Sequence, residues 1–244
     1  MSMSGFQAIV LAAGKGTRMG SDLPKVLLPV CGRPVVTHIL DALDKVGITQ
    51  PVVVIGYKAE MVKEALGSRV IYALQDDQRG SGHAVMCARD VAGGVKSILV
   101  MCGDSPLFKV ETINAVMEAH VREGAVITLA SAILDDPTGY GRILRAANGD
   151  VHGVAEEKIA TDEQKAVREI NGGLYAFDGD WLWANIHLMR ENEAGELCLT
   201  EMVDIAIAQG RKVSAVPISA EEVAGINTPD QLRAAERILS RRVC

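Results

Sequence analysis

The 244-residue chain has no Cys-x-x-Cys pair, and its five cysteines (Cys31, Cys87, Cys102, Cys198, Cys244) follow no zinc-ligand spacing. Irregular, odd-numbered thiols of this kind are read as reduced cysteines, so a cytoplasmic location is expected. The chain also lacks a basic run: 25 Lys and Arg stand against 31 Asp and Glu, a net charge of −6. A nucleic-acid surface needs a basic face, so that class of partner is excluded. The N-terminal stretch MSMSGFQAIVLAAG has no basic n-region and leads straight into a strand and loop, so neither a signal peptide nor a membrane span is expected there. No linker rich in Gly, Ser or Pro divides the sequence, no hexapeptide repeat recurs, and the five histidines form no Ser/His/Asp pattern for nucleophilic catalysis. No feature of the composition marks an oligomer interface.

What the chain does have is concentrated between Leu11 and Pro29, LAAGKGTRMGSDLPKVLLP. The apolar run Ala8 to Val10 before it reads as a buried strand. Gly14 and Gly16 then release the backbone into a tight loop carrying Lys15, Thr17 and Arg18, and Pro24-Lys25 adds a third cation. Glycine lets backbone N–H groups approach an anion closely, and the cations neutralise it. Three clustered cations in an acidic protein point to a nucleoside triphosphate. A P-loop would need four residues between its first glycine and Gly-Lys-Ser/Thr, and that spacing does not occur. Gly14, Gly16 and Gly20 resemble a stretched dinucleotide fingerprint, but such a loop must open straight into a helix. Pro24, Pro29, Gly32 and Pro34 fall where that helix would run, and an interior proline costs about 3 kcal/mol. A merely structural glycine turn would leave the cations unexplained.

Strands alternate with helices through the first half. Apolar strands are expected at Val52 to Ile55, Val70 to Leu74, Ile98 to Cys102 and Val126 to Ala132. Helices are expected over Val35 to Val46, Ala59 to Leu66, Ala84 to Val91 and Val110 to Glu123. This is the pattern of an α/β fold, a Rossmann-like and mostly parallel sheet with helices on both faces. Ligands in such sheets collect at the carboxyl ends of the strands. Beyond Pro137 the pattern changes: Gly139-Tyr140-Gly141-Arg142 reads as a loop, with strands at Val151 to Ala155, Ile170 to Phe177 and Val213 to Val216. Helices are expected at Leu199 to Gln209 and Thr228 to Arg242, the latter with Pro229 in its first turn. One domain of two lobes is expected, a nucleotide-binding lobe over about residues 1–136 and a smaller sugar-binding lobe with a closing helix over about 137–244.

The pattern AAGKGTRM, followed by Lys25 and Val26-Leu27, resembles the signature of the sugar-phosphate nucleotidyltransferases, and within them the bacterial N-acetylglucosamine-1-phosphate uridylyltransferase domains. Further similarities run along nearly the whole chain. The resemblance implies attack by a sugar-1-phosphate oxygen on the α-phosphorus of UTP, with Mg²⁺ as cofactor and pyrophosphate as leaving group. Many relatives add an acetyltransferase domain of hexapeptide repeats; with no such repeat present, that activity is expected to be absent.

The resemblance assigns Arg18 and Lys25 to catalysis. It places Leu11, Ala12, Ala13, Gly14, Lys15, Gly16 and Thr17 around the nucleotide, with Gln75, Gly80 and Ser81 at the base. A glutamine amide has one donor side and one acceptor side, matching the O4 and N3–H edge of uracil; Gly80 would let the backbone approach it. Asp76 to Arg79 read as a solvated loop. Asp104, in MCGDSPL, and Asn227, in AGINTP, are the implied metal ligands. Oxygen donors at the end of a buried strand suit a hard cation, while the plain readings are an Asx-turn for Asp104 and a turn residue for Asn227 before Thr228-Pro229. Sugar contacts map to Gly103, Gly141, Glu156 and Asn171, with Glu157 the rival to Glu156 one residue on. Gly172 stands where the family has threonine, which is expected to loosen the backbone beside the sugar, and Cys102 where relatives often have tyrosine.

Two other readings accompany this one. A related transferase could use glucose-1-phosphate or another phosphorylated molecule, with CTP or dTTP; Gln75 and Leu199-Thr200-Glu201, similar to the family's Leu-Thr-Asp, favour the uridylyl reading. A non-catalytic UDP-sugar-binding domain would not need Lys15, Arg18, Lys25 and Asp104 together.

Overall fold

A computed structural model describes residues 5–193 and 195–243; the side chains of Thr17 and Val243 are outside the description, as are Met1 to Ser4, Ala194 and Cys244. The chain opens with β1 (Phe6–Leu11), two 3₁₀ turns at Thr17–Met19 and Lys25–Leu27, and a hairpin of β2 (Pro29–Val30) and β3 (Arg33–Pro34). There follow α1 (Val35–Lys45), β4 (Val52–Ile55), α2 (Ala59–Leu66), β5 (Ile71–Leu74), α3 (Ser81–Cys87) and α4 (Arg89–Ala92). Next come β6 (Ser97–Cys102), α5 (Val110–Glu123), β7 (Ile127–Ile133), β8 (Arg142–Arg145), β9 (Val151–Ala155) and α6 (Asp162–Lys165). The remainder is β10 (Glu169–Asp178), α7 (Gly179–Asn185), α8 (Glu201–Ala208), β11 (Val213–Pro217) and α9 (Pro229–Val243).

The main sheet has the order β11-β7-β10-β6-β1-β4-β5, with β8 and β9 attached through β10. β1 runs parallel to β4 and β6, β5 parallel to β4, and β11 parallel to β7. β10 runs antiparallel between β6 and β7, so a strand from the second half of the chain lies at the centre of a sheet begun by the first. The expected mostly parallel α/β sheet is present, with β10 reversed inside it and β8 and β9 added by antiparallel pairing.

Period-2 alternation sorts the strand residues onto two faces. Ile9, Val52, Val54 and Val100 pack against Val85 of α3, Leu182 of α7 and Met202 of α8. Ala8, Val10, Val53 and Leu99 pack against Leu40 of α1, Val62 of α2 and Ile113 of α5. Strands covered on both faces must be apolar at every position, which is why β4 reads VVVI. α5 stops at Gly124, whose left-handed φ of 58° lets its N–H bond back to the carbonyl of His120. A third cluster, including Leu28, Val30, Leu107, Ile226 and Leu239, docks α9 on the β2–β3 hairpin.

Three local readings are corrected. The helix expected over Ala84 to Val91 begins at Ser81 and divides at Ala88, whose N–H bonds to the carbonyl of Val85 and tightens the turn. Gly80, at φ 104°, turns the chain sharply into the helix start, a geometry that local propensity does not reveal. The helix expected from Leu199 begins at Glu201, because Cys198 to Val203 form 3₁₀-type bonds first. Arg142 is not in a loop: it opens β8, which pairs with β9, and its guanidinium is buried against Glu157 and the Tyr140 carbonyl. Only two apolar residues, Ile143 and Leu144, lie between the arginines of that strand, too few to signal it.

Candidate active site

β1, β4, β5 and β6 end along one edge of the sheet, in register at Leu11↔Val54, Leu11↔Cys102 and Ile55↔Leu74. The chain leaving β1 stays bonded to this edge: Ala12 N–H donates to the Val54 carbonyl at 2.8 Å, and Tyr57 N–H to the Ala13 carbonyl at 3.0 Å. Gly14 and Lys15 are exposed beyond it, with the Lys15 ammonium 5.6 Å from the Tyr57 ring centre. Gly16 has φ 64°, and a Cβ there would lie 2.7 Å from Cβ of Lys25. The glycine is therefore what lets the lysine segment close over the loop.

Lys25 follows Pro24 in a 3₁₀ turn, and its ammonium reaches across to the Asp104 carboxylate and, at 3.1 Å, to Asn227 Oδ1. Arg18 donates to the same Asn227 oxygen at 3.0 Å. The main chain braces this cluster, since Ile226 N–H donates to the Asp104 carbonyl at 2.9 Å. Gln231 Oε1 accepts from the N–H of Asn227 and Thr228, and Thr228 Oγ1 accepts from Gln231 N–H, which caps α9. Asp104 and Asn227 thus direct one carboxylate oxygen and one amide oxygen at a common cation. Hard oxygen donors, few in number, suit Mg²⁺, which keeps waters and substrate phosphates in its shell. Among the described residues no group of three or more His, Cys, Asp or Glu is arranged to hold a metal.

Between this cluster and the loop over residues 75–81 lies a cleft of about 320 Å³. Leu11, Ala12, Ala13, Gly14, Lys25, Gln75, Gly80, Ser81 and Asp104 line it, while Lys15, Gly16, Arg18 and Asn227 stand outside its lining. Cys102, Gln78 and Glu196 line it too. Gln78 is exposed, as are Asp76, Asp77 and Arg79, in keeping with a solvated loop, and its amide donates to the Gln75 carbonyl at 3.2 Å. Nothing local marks Glu196, which arrives from a loop far along the chain.

Gln75 is only 3% exposed. Its Nε2 donates to the Gly80 carbonyl at 3.1 Å and to His83 Nδ1 at 3.1 Å. Both amide hydrogens are consumed within the protein, which leaves the acceptor side alone for a ligand and corrects the expectation of a donor–acceptor pair. Gly80 has a close neighbour of its own, for a Cβ would lie 2.5 Å from the Leu197 carbonyl oxygen. Leu197 bonds to Arg79 and Gly82, and Leu199 N–H donates to Ser81 Oγ at 3.0 Å, so the 197–199 segment is stitched to the loop that carries Gln75 and Gly80.

The remaining candidates meet around Cys102. Gly103 tucks the end of β6 under β1, where a Cβ would lie 2.7 Å from the Leu11 carbonyl oxygen. Asn171 donates to the Tyr175 hydroxyl, accepts from Gly173 N–H at 3.1 Å, and bonds by its own N–H to the Gly141 carbonyl at 2.8 Å. Glu156 accepts from Thr200 Oγ1 at 2.6 Å, whereas Glu157 pairs with Arg142 at 2.7 Å. Burial, with the Asp104 and Glu156 charges, pushes the Cys102 thiol up to about 12. Burial raises the Tyr175 hydroxyl, and burial with Glu156 lifts Cys198 to about 11. Gly172 does not loosen the strand: it is buried, and a Cβ would sit 3.0 Å from the Ala130 carbonyl oxygen and 3.2 Å from Val223. The positive φ is at Gly173, within the irregular pairing between Asn171 and Tyr175.

A glycine loop carrying cations, a carboxylate at the next strand end and a buried amide across the cleft are the arrangement of a nucleotidyltransferase, and the comparisons with known proteins place the chain in that class. Residues 8–166 match the MobA-like NTP transferase domain, and the chain belongs to that family. It is 45% identical over 240 residues to the bifunctional protein GlmU of Geobacillus thermodenitrificans, covering 97% of this chain and 52% of that protein. Against the bifunctional protein GlmU of Heliobacterium modesticaldum it is 47% identical over 239 residues, covering 97% and 52%. The chain therefore spans about half the length of these relatives. A Bacillus anthracis structure described as a glucose-1-phosphate thymidylyltransferase, in complex with a sucrose, superposes with a TM-score of 0.80 over 96% of this chain and 94% of the other. At 22% identity that likeness speaks for the fold alone. Among the described residues no helix is long and apolar enough to cross a membrane.

Proposed function

We propose that this chain transfers a uridylyl group from UTP to N-acetylglucosamine-1-phosphate, giving UDP-N-acetylglucosamine and pyrophosphate, with Mg²⁺ as cofactor. The observation that carries the reading is the Lys25 ammonium set between Asp104 and Asn227, at a cleft that also holds Gln75. Identities of 41–47% to GlmU proteins over nearly the whole chain support it.

The nucleophile needs no strong base, because a phosphate monoester has its second pKa near about 6 and is largely dianionic at neutral pH. What the reaction needs is two polyanions held in line and the charge of the departing pyrophosphate neutralised. Lys15 and the N–H groups from Ala13 to Thr17 hold the triphosphate in this reading, with Leu11 and Ala12 lining the cleft beneath it. Lys25 and Arg18 supply positive charge to the phosphates as the bond to pyrophosphate breaks. Gln75 Oε1 accepts from the uracil N3–H, with Gly80 and Ser81 beside the base. Gly103, Gly141, Glu156 and Asn171 receive the sugar, Glu156 as an acceptor for its hydroxyls. Asp104 and Asn227 are the residues that would hold Mg²⁺, which when bound neutralises and orients phosphate oxygens. The nucleotide falls to the lobe over about 1–136, and the sugar to the part over about 137–244, whose closing helix supports Asn227. Among the described residues Cys31, Cys87, Cys102 and Cys198 are free, which supports a cytoplasmic setting.

Pyrophosphate release from UTP with a panel of sugar-1-phosphates tests the proposal. Fastest release is expected with N-acetylglucosamine-1-phosphate. Faster release with glucose-1-phosphate would reassign the sugar, and binding of UDP-sugars without any release would make the chain a sensor.

A further inference from the structure

We propose that His83 is a positioning residue for base selection, holding the Gln75 amide so that its oxygen faces the nucleobase. This rests on reading the cleft as a UTP site. The Gly80 carbonyl can only accept, so the Gln75 group 3.1 Å from it is the NH₂. His83 Nδ1 lies 3.1 Å from the same Nε2 and must therefore accept the second hydrogen. That sets the tautomer: His83 carries its proton on Nε2, which points to Cys87 Sγ at 3.9 Å, one helical turn further along α3. Gln75 Oε1 has no protein donor among the described residues, while the residue is 3% exposed and lines the cleft.

The consequence is a base filter of one polarity. Uracil offers an N3–H to Oε1; cytosine offers a lone pair at N3 and leaves a buried acceptor unpaired. Gly80 alone would fix only one of the two amide hydrogens, its second lone pair accepting from Ala84 N–H at 3.1 Å. His83 is the second anchor that stops the amide from turning its nitrogen toward the base.

The test compares the ratio of kcat/KM for UTP and CTP in the parent, His83→Leu and His83→Asn. Leucine removes the acceptor, while asparagine can place Oδ1 where Nδ1 stood. His83→Leu is expected to lower the UTP:CTP ratio about tenfold, the scale of one oriented hydrogen bond, mostly by raising KM for UTP with kcat within about threefold. His83→Asn is expected to recover most of the ratio. An unchanged ratio in His83→Leu, or no recovery with asparagine, would overturn the proposal while leaving the uridylyl reading intact. If the parent uses no UTP, that reading fails instead, and NMR of the ligand-free protein still decides the positioning. Gln75 side-chain amide hydrogens should be protected from exchange in the parent and His83→Asn and unprotected in His83→Leu; equal protection in all three would overturn it.

Discussion

Lys25 donates to Asn227 Oδ1 at 3.1 Å, joining residues 202 positions apart. The same ammonium contacts Asp104, at the end of β6. One cation thereby ties the glycine loop, the central sheet and the start of the closing helix into one cluster.

Lys25→Ala should lower uridylyl turnover by about 10²–10³, the usual effect of losing one preorganised charge at a reacting phosphate. The fold should persist, because the backbone of the Lys25 turn is held by Pro24 and by buried Val26 rather than by the ammonium. Turnover within threefold of the parent, with unchanged circular dichroism, would remove Lys25 from the chemistry.

Asp104→Ala should abolish metal-dependent turnover while the protein still melts cooperatively. Asn227→Ala should act in the same direction less severely, since a neutral oxygen attracts a cation less strongly than a carboxylate does. A Mg²⁺ titration that leaves Asp104→Ala as active as the parent would overturn the assignment.

Gln75→Ala should erode discrimination against CTP more than discrimination against dTTP, because thymine keeps the N3–H that Oε1 accepts. Rejection of CTP by the parent should be about 10²-fold or more, as when a buried polar group loses its partner. A mutant that kept this discrimination would move base reading to the backbone near Gly80.

Gly80→Ala should reduce both stability and UTP turnover. Its φ of 104° is unfavourable for any residue with a Cβ, and that Cβ would meet the Leu197 carbonyl oxygen at 2.5 Å. Strain of this kind is worth on the order of 1–3 kcal/mol. Because the obstacle is backbone, relief requires the 197–199 segment to lift from the base loop. A thermal melt coincident with the parent's would show that no such strain exists.

Acid stability should depend on Glu123, at the end of α5. The Ser214 hydroxyl at 2.6 Å and the Lys212 ammonium at 3.1 Å hold its carboxyl down at about 2, below the ordinary 4.5. A depressed carboxylate contributes stability above its unfolded pKa and loses it as pH falls through the folded one. Glu123→Gln should therefore lower Tm at neutral pH, with the difference closing between about pH 4.5 and pH 2. A constant Tm offset across that range would show that the charge is not the cause.

Much of this architecture is determined by short-range chemistry. The limits of α2 and α5 and the apolar run of β4 follow from side-chain periodicity and from Gly67 and Gly124 at the helix ends. The cations of the glycine loop and Asp104 are legible for the same reason, since glycine, proline and charge act within a few residues. What only the tertiary structure decided involves distant partners. β10 enters antiparallel between β6 and β7 although its sequence reads as an ordinary apolar strand, because strand direction is set by chain path and not by side-chain pattern. Ser81 accepts from Leu199 across 118 residues, and Glu196 reaches the cleft from the same distant loop. The polarity of Gln75 is the clearest case. A glutamine in a sequence offers both a donor and an acceptor; which one remains for a ligand depended on the Gly80 carbonyl and His83 Nδ1 folding against it.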